Sequence, residues 1–200
     1  LTPDLDHAAD DNPSVYADGC EVGFAQTSPH PCDLGEAGEP RIVLFGDSHA
    51  AQWYPALARI AKENGYQLET QTKSGCPSVA VRVARDAVEY SACDTWRASV
   101  ISDILKHPPA AVVLANYTNP VFADTSDEST QWASGTTSVI ERLETKTRVV
   151  VMADTPDLCN SPIVCLSANL DSARNCGRPT SLALRSPGRA VEAEAAVLDG

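Results

Sequence analysis

The sequence predicts an α/β fold of three layers, in which a parallel sheet carries helices on both of its faces. Short apolar runs typical of buried strands alternate along the chain with longer segments whose apolar residues recur at helical spacing. Most of these short runs are continuous in their apolar character, as expected for strands covered by helices on both sides. The chain has 200 residues, 43% of them hydrophobic, which suits one domain with a sizeable core.

The first half of the chain begins with a polar segment and then alternates between strands and helices. Residues 1–39 are rich in Pro, Gly and Asp, so we expect a linker and loop-rich lead-in there, followed by the α/β domain over residues 40–200. "RIVLF" (41–45) reads as a buried strand. A helix is predicted over residues 50–64, because apolar residues recur at helical spacing until Gly65. "QLETQT" (67–72) is a weaker strand that alternates in polarity.

The second half continues the same alternation. A helix predicted over 92–107 ends before two consecutive prolines. "AAVVLANY" (110–117) is the clearest strand, and a helix over about 132–146 and the strand "RVVVMAD" (148–154) follow it. Residues 155–187 are expected to be irregular, with a last Ala- and Glu-rich helix near 187–198.

Charge and motif content exclude several classes of partner. The net charge of −12 argues against nucleic acid, because phosphate binding needs clustered Lys and Arg. No C-x-x-C motif and no zinc-type Cys/His spacing occurs, so no metal or organic cofactor is expected. No apolar run reaches the roughly 18 residues of a membrane span. The chain begins with Leu1, and we expect it to be part of a longer protein.

Seven cysteines are many for a protein kept in a reducing compartment. Their spacing allows three local pairs, although the sequence alone leaves the connectivity open: Cys20 with Cys32, Cys76 with Cys93, and Cys165 with Cys176. Cys159 is left over in this scheme and is either free or paired outside these residues. Disulfides indicate an oxidising, extracytoplasmic setting.

The stretch "RIVLFGDSHAAQW" (41–53) places Ser48 between a predicted strand and a predicted helix. Functional groups of open parallel sheets gather at the carboxyl ends of the strands, and the first N–H groups of a helix can hold an anion. A serine at this joint can therefore attack an acyl carbonyl while its own N–H stabilises the oxyanion. The alternative is that Asp47 or Ser48 only caps the helix.

Several motifs together resemble those of the SGNH (GDSL-like) esterase and acyltransferase superfamily. They are "GDSHAAQW", "KSGCP" (73–77), "CDTWR" (93–97), the strand "AVVLANY" and "ADTPD" (153–157). The likeness is greatest to the SGNH domains fused to bacterial membrane acyltransferase 3 proteins, and it covers roughly residues 16–180. It implies a flavodoxin-like SGNH fold. The sequence ends where a further strand and a D-x-x-H block would follow, so we expect both to be missing.

The resemblance also implies roles for residues at matching positions. Ser48 would be the nucleophile, and its N–H and that of Gly75 would belong to the oxyanion hole. The family supplies a further donor from an Asn in a G-x-N-D block, which is not intact here. Asn116 in "ANYTNP" is the first candidate and Asn119 the second, although Asn after a strand is as often a turn former. Asp47, His49 and Asp154 are candidates for supporting roles.

None of the four histidines is a convincing general base for Ser48. His49 adjoins the serine, so its side chain is expected to point elsewhere and to have a structural or supporting role. His107 lies at the wrong edge of the sheet, and His30 lies in the lead-in. "DLDH" (4–7) matches D-x-x-H, but it stands before the serine and is read as a chance match. We therefore expect the isolated chain to hydrolyse esters weakly or not at all.

Three functions are consistent with these features. The leading hypothesis is the extracytoplasmic domain of a membrane O-acyltransferase, tethered through a membrane domain that delivers the acyl donor. Ser48 would pass the acyl group, with acetyl expected, to a hydroxyl of a cell-envelope glycan or glycolipid. The alternatives are a carbohydrate O-acetyl esterase, in which water attacks the acyl-serine, and a non-catalytic glycan-binding module.

Overall fold

The computed structural model describes residues 4–156, 158 and 161–183, and it has a central sheet of six strands. The strands of this sheet are β1 (Glu21–Val22), β2 (Cys32–Leu34), β3 (Arg41–Gly46), β4 (Gln67–Lys73), β7 (Ala111–Ala115) and β8 (Arg148–Met152). Strands β5 (Ala84–Arg85) and β6 (Val88–Glu89) form a separate antiparallel hairpin. The order β1-β4-β3-β7-β8 is parallel throughout, and β2 joins β4 antiparallel.

Helices precede, separate and follow these strands. They are α1 (Ser14–Ala17), α2 (Ser48–Ala51), α3 (Tyr54–Glu63), α4 (Ser91–Lys106), α5 (Glu128–Glu144), α6 (Pro162–Ala168) and α7 (Thr180–Ala183), with a 3₁₀ helix at Ala173–Cys176. No described helix is both long enough and apolar enough to cross a membrane.

The observed topology confirms the predicted α/β class, and the four predicted strands are β3, β4, β7 and β8. Three details of the helices differ from the prediction. The helix expected over 50–64 is divided into α2 and α3. Helix α5 begins at Glu128, before the predicted start, because the Asp127 side chain accepts a hydrogen bond from the Thr130 N–H at 3.1 Å. The region expected to be irregular contains α6, the 3₁₀ helix and α7, while the helix predicted near 187–198 lies outside the described residues.

The polar lead-in adds two short strands to the sheet. Strand β1 pairs with the end of β4, and β2 pairs with its beginning. A small apolar cluster of Val15, Cys20 and Ala51 packs the lead-in against α2. The boundary at residue 39 stays a prediction, although residues on both sides of it share one sheet.

Strand β4 is buried from Leu68 to Lys73 despite its polar sequence. Its neighbours explain this burial, because β3 covers one edge and the lead-in strands cover the other. Lys73 is fully buried, and its Nζ donates hydrogen bonds to the carbonyls of Gly23, Phe24 and Gln26 at 2.5, 3.2 and 2.6 Å. Burial lowers the pKa of Lys73 to about 8.

Apolar side chains cover both faces of the sheet, as three layers require. On one face, Phe45 and the strands beside it pack against α4 and α5, with Trp96 and Trp132 fully buried. On the other face, Leu44 and Leu68 pack against α2 and α3. Helices on both faces keep water from the sheet interior and leave the strand ends as the accessible part.

Three disulfides connect the pairs that the cysteine spacing allowed. They are Cys20–Cys32, Cys76–Cys93 and Cys165–Cys176. The first fastens the lead-in, and the second joins the segment after β4 to α4. Cys159 lies outside the described residues.

Candidate active site

The predicted site residues follow the carboxyl ends of adjacent parallel strands. Gly46 of β3 is level with Thr72 of β4 and Ala115 of β7, and Ala115 is level with Met152 of β8. Ser48, Gly75, Asn116 and Asp154 each come within three residues after these positions. The strand register therefore brings four segments that are distant in sequence to one edge of the sheet.

Gly46 permits β3 and β7 to approach closely at this edge. A Cβ atom at this position would lie 1.8 Å from the carbonyl oxygen of Ala115, a distance that no side chain can occupy. The absent side chain therefore lets the chain turn directly from β3 into α2.

Asp47 caps α2 and joins it to the segment after β7. Its carboxylate accepts a hydrogen bond from the His49 N–H at 2.8 Å, and both of its oxygens accept from the Tyr117 N–H, at 3.0 and 2.9 Å. The residue is buried, and this burial raises the pKa of Asp47 to about 6 even though the two N–H groups stabilise the charged form. The cap is thus Asp47, which leaves the neighbouring serine available for another role.

Ser48 is the first residue of α2 and is half-buried. Neither its hydroxyl nor its N–H makes a hydrogen bond to any described residue. An unpaired N–H is expected at the first position of a helix, where no preceding turn supplies a carbonyl. Ser48 therefore offers an uncommitted hydroxyl beside an uncommitted donor.

Gly75 lies in a tight turn directly after β4. Its φ is +59°, in the region that favours glycine, and the Lys73 carbonyl accepts a hydrogen bond from the Cys76 N–H at 3.1 Å across the turn. The Tyr90 hydroxyl donates to the Ser74 carbonyl at 3.1 Å and anchors the same turn. Within the described chain the Gly75 N–H has no hydrogen-bond partner.

The Asn116 side chain is buried, and only its oxygen is hydrogen-bonded to described residues. Its Oδ1 accepts hydrogen bonds from the Ser78 N–H at 2.7 Å and from the Ser78 hydroxyl at 2.9 Å. Its Nδ2 donates to none of the described residues. Ser78 is itself part of a buried segment that Arg97 fixes by donating to the Pro77 and Val81 carbonyls at 2.9 and 3.1 Å. Asn119, the second candidate, is exposed.

His49 forms a pair with Asp154 across the end of β7. The distance between His49 Nδ1 and Asp154 Oδ1 is 2.5 Å, and the Asp154 side chain is almost fully buried. The other Asp154 oxygen accepts from the N–H and the hydroxyl of Thr118, at 3.0 and 3.2 Å. Two carboxylates, Asp47 and Asp154, thus hold consecutive residues of the loop that begins at Asn116.

The pair also changes the protonation of both members. Burial opposes the charged form of His49, but the hydrogen bond and negative charge of Asp154 outweigh it, so the pKa of His49 lies above its usual range. Burial likewise disfavours the Asp154 carboxylate, yet the bonds from His49, Thr118 and Thr155 hold its pKa below the usual range. The pair is therefore favoured in its charged form.

The other three histidines lie apart from Ser48. His7 pairs with Asp4 at 2.7 Å, and both side chains are exposed. His107 ends α4, and its carbonyl accepts a hydrogen bond from Arg41 at the amino edge of the sheet. His30 is exposed in the loop before β2. The structure describes all four histidines of the chain. None of them is hydrogen-bonded to the Ser48 hydroxyl.

Glu21 is a charged residue of this edge that the sequence did not indicate. It lies level with Thr72, and both of its carboxyl oxygens are buried. Desolvation, with a further contribution from the charge of Asp47, raises the pKa of Glu21 to about 7. The one available signal was its position beside Cys20, since a disulfide to Cys32 draws this part of the lead-in onto β4.

Comparisons with known proteins identify the family and a similar fold. A family model described as the SGNH domain (fused to AT3 domains) matches residues 17–199. The periplasmic domain of a lipopolysaccharide acetyltransferase from Salmonella ser. Paratyphi A has a similar fold, with a TM-score of 0.55 and 17% identity. That likeness covers 72% of the present chain and 55% of the Salmonella chain. A search of curated proteins found no match. On the extent of the family match, the chain belongs to the family of SGNH domains fused to AT3 domains.

Proposed function

We propose that this chain is the extracytoplasmic domain of a membrane O-acyltransferase. Ser48 takes an acyl group, with acetyl expected, from a donor that the membrane domain delivers. It then passes the group to a hydroxyl of a cell-envelope glycan or glycolipid. The family match supports the acyltransferase class, and the three disulfides fit an oxidising compartment.

The observation that carries this proposal is a set of three uncommitted donors at one edge. The N–H of Ser48, the N–H of Gly75 and the Nδ2 of Asn116 have no partners among the described residues. They follow three adjacent strands whose ends are level. Donors prearranged in this way can stabilise the oxyanion that forms when a serine attacks an acyl carbonyl.

The proposed chemistry is two acyl transfers. The Ser48 oxygen attacks the donor carbonyl and loses its proton to a base, and the base passes this proton to the departing group of the donor, so that an acyl-serine ester and a free base remain. The acceptor hydroxyl then loses its proton to the same base and attacks this ester, so that the acyl group moves to the sugar and Ser48 regains a proton. Asp47, His49 and Asp154 support the reaction by holding α2 and the loop that follows β7.

The base is proposed to come from an Asp–His block outside these 200 residues, because no histidine of the chain is bonded to the Ser48 hydroxyl. The isolated chain is therefore expected to cleave an aryl acetate little faster than its Ser48→Ala variant. A serine-dependent rate of the size that a complete triad gives would contradict this part of the proposal.

The decisive experiment uses the membrane acyltransferase that carries this domain. Ser48→Ala should abolish transfer of labelled acetyl to glycan, whereas Ser134→Ala should not, because Ser134 is exposed on α5 and bonds only to carbonyls of its own helix. Unchanged transfer by Ser48→Ala would exclude Ser48 from the mechanism. Release of free acetate without acetylated glycan would instead indicate an esterase, and glycan binding without either product would indicate a binding module.

A further inference from the structure

An aromatic ring and a guanidinium group lie together beside the Gly75 turn. The Cζ atom of Arg85 is 3.6 Å from the centroid of the Phe24 ring. The ring is in turn close to the turn, since a Cβ atom at Gly75 would lie 3.2 Å from Phe24 Cε1. Phe24 also packs against Tyr90, whose hydroxyl anchors the turn, with 5.7 Å between ring centroids. Phe24 therefore adjoins one proposed oxyanion donor, and Arg85 lies over the Phe24 ring.

Both members of this pair stand on a fixed backbone. The buried Lys73 ammonium donates hydrogen bonds to the carbonyls of Phe24 and of the nearby residues Gly23 and Gln26. Arg85 belongs to the β5–β6 hairpin, whose tight turn has positive φ at Asp86 and Ala87. The hairpin is bonded to the segment after β7 through the Ala84 N–H and the Val121 carbonyl, at 2.7 Å. Arg85 therefore lies on a hairpin that is bonded to the segment after β7, and its guanidinium contacts Phe24 in the segment after β1.

The Arg85 guanidinium remains open to a ligand. Its side chain is 51% exposed, and its one recorded ion pair joins Nε to Asp86 Oδ2 at 3.4 Å, with Asp86 itself 86% exposed. An exposed pair of this kind is weak. The four terminal N–H groups donate to none of the described residues, so they can form the two parallel hydrogen bonds that guanidinium makes with phosphate or carboxylate.

Half-exposed rings stand on both sides of β3 at this edge. Phe24 is 39% exposed on the β4 side, and Tyr117 is 38% exposed after β7, with its ring 4.7 Å from that of His49. Aromatic rings with one wet face bind ligands that are apolar on one side and polar on the other, as a sugar ring is. The edge therefore combines flat apolar surfaces with one accessible cation.

We propose that Phe24 and Arg85 form an acceptor subsite that binds a negatively charged group, phosphate or carboxylate, on the sugar acceptor. Assigning this ligand to the acceptor rests on the proposed function, but the binding itself does not. Because the chain has a net charge of −12, a negatively charged glycan approaches against general repulsion, and a local cation at the site offsets this. The subsite thus selects charged over neutral sugars.

Calorimetric titration of the 200-residue chain carrying Ser48→Ala tests this proposal without any turnover. The probes are glucose 6-phosphate, glucuronate, neutral glucose and inorganic phosphate. We expect both charged sugars to bind at least about tenfold more tightly than glucose, which corresponds to 1.4 kcal/mol. The affinities of glucose 6-phosphate and glucuronate, compared with each other, identify whether phosphate or carboxylate is preferred. If glucose 6-phosphate binds more tightly than inorganic phosphate, the sugar ring contributes to binding. Equal binding of glucose, or no binding of any charged sugar, would overturn the proposal.

Three variants test whether Arg85 is responsible for the binding. Arg85→Gln should weaken binding of the charged sugars about tenfold, while Arg59→Gln should not, since Arg59 is an exposed arginine on α3. Asp86→Asn should tighten binding severalfold, because it removes the competing carboxylate and Asn accepts the positive φ at this position. Unchanged affinity in Arg85→Gln would exclude the subsite even if Ser48 proves essential for transfer.

Discussion

Replacing Glu21 by Gln should change how the stability of this protein depends on pH. The Glu21 carboxyl is buried at the candidate site, and desolvation raises its pKa from an ordinary value of 4.5 to about 7, with a further contribution from the charge of Asp47. The folded state therefore binds a proton that the unfolded state has already released at neutral pH. Gln keeps the size of the side chain and removes its titration.

The sign and size of the effect follow from linkage. A carboxyl whose pKa is raised on folding stabilises the fold at low pH, and this contribution is lost as the pH rises from about 4.5 to about 7. The shift corresponds to roughly 3 kcal/mol of the free energy of unfolding. Relative to the wild type, Glu21→Gln should become more stable by up to this amount between about pH 4 and pH 8, and little further change should occur above that.

Urea unfolding, monitored by tryptophan fluorescence at a series of pH values, measures this difference. Glu63→Gln is the matched control, because Glu63 is exposed on α3 and should leave the pH dependence unaltered. The reasoning would be refuted if the difference between Glu21→Gln and wild type were constant with pH, or if it decreased as the pH rose. A buried carboxyl with a strongly raised pKa, whose charged form destabilises the fold, is typical of functional sites.

Three further predictions concern the site and its supports. Asp154→Asn should lower the pKa of His49, measured by NMR titration of the imidazole, whereas Asp4→Asn should not, because Asp4 pairs with His7. Lys73→Met should speed amide hydrogen exchange in residues 23–26 and lower the free energy of unfolding by about 2 kcal/mol or more, because it removes the hydrogen bonds of Nζ to this segment. Lys106→Met on the exposed end of α4 should do neither. Unchanged exchange in Lys73→Met would show that these hydrogen bonds do not hold the segment. Replacing Cys76 and Cys93 by Ala should lower the free energy of unfolding by about 3 kcal/mol in urea titrations, since the disulfide closes a loop with a sequence separation of 17. Equal stability of the variant and the oxidised protein would count against this estimate.

Most of the central sheet was predictable because its strands carry a local signal. β3, β7 and β8 are short apolar runs rich in Val, Ile or Leu, and helices α4 and α5 repeat apolar residues at helical spacing. Two parts of the fold lacked such a signal. β1 and β2 are too short to show periodicity, and the polar residues of β4 become buried only because the lead-in strands cover them.

The candidate site divides in the same way. "GDSH" marks Ser48 directly, since a polar motif after an apolar strand is visible in the chain itself, whereas Gly75 in "KSGCP" was indicated by the resemblance to the SGNH superfamily. Nothing in the sequence shows that Asp154 pairs with His49, because 105 residues separate them and the contact depends on the ends of β3 and β8 lying at one edge. The supporting contact of Ser78 with Asn116 escapes sequence reasoning for the same reason.

The sequence by itself determined the fold class and the position of Ser48 at a strand–helix joint, and its cysteine spacing allowed the three local pairs that the structure contains. Each of these depends on residues that are close in the chain or on a pattern that repeats along it. The tertiary structure decided that Asp47 rather than Ser48 caps α2 and that the buried Lys73 ammonium is hydrogen-bonded to backbone carbonyls of the lead-in. It also decided that Arg85 lies on Phe24 beside Gly75. These contacts arise only when the register of parallel strands aligns distant segments and burial changes the energy of their charges.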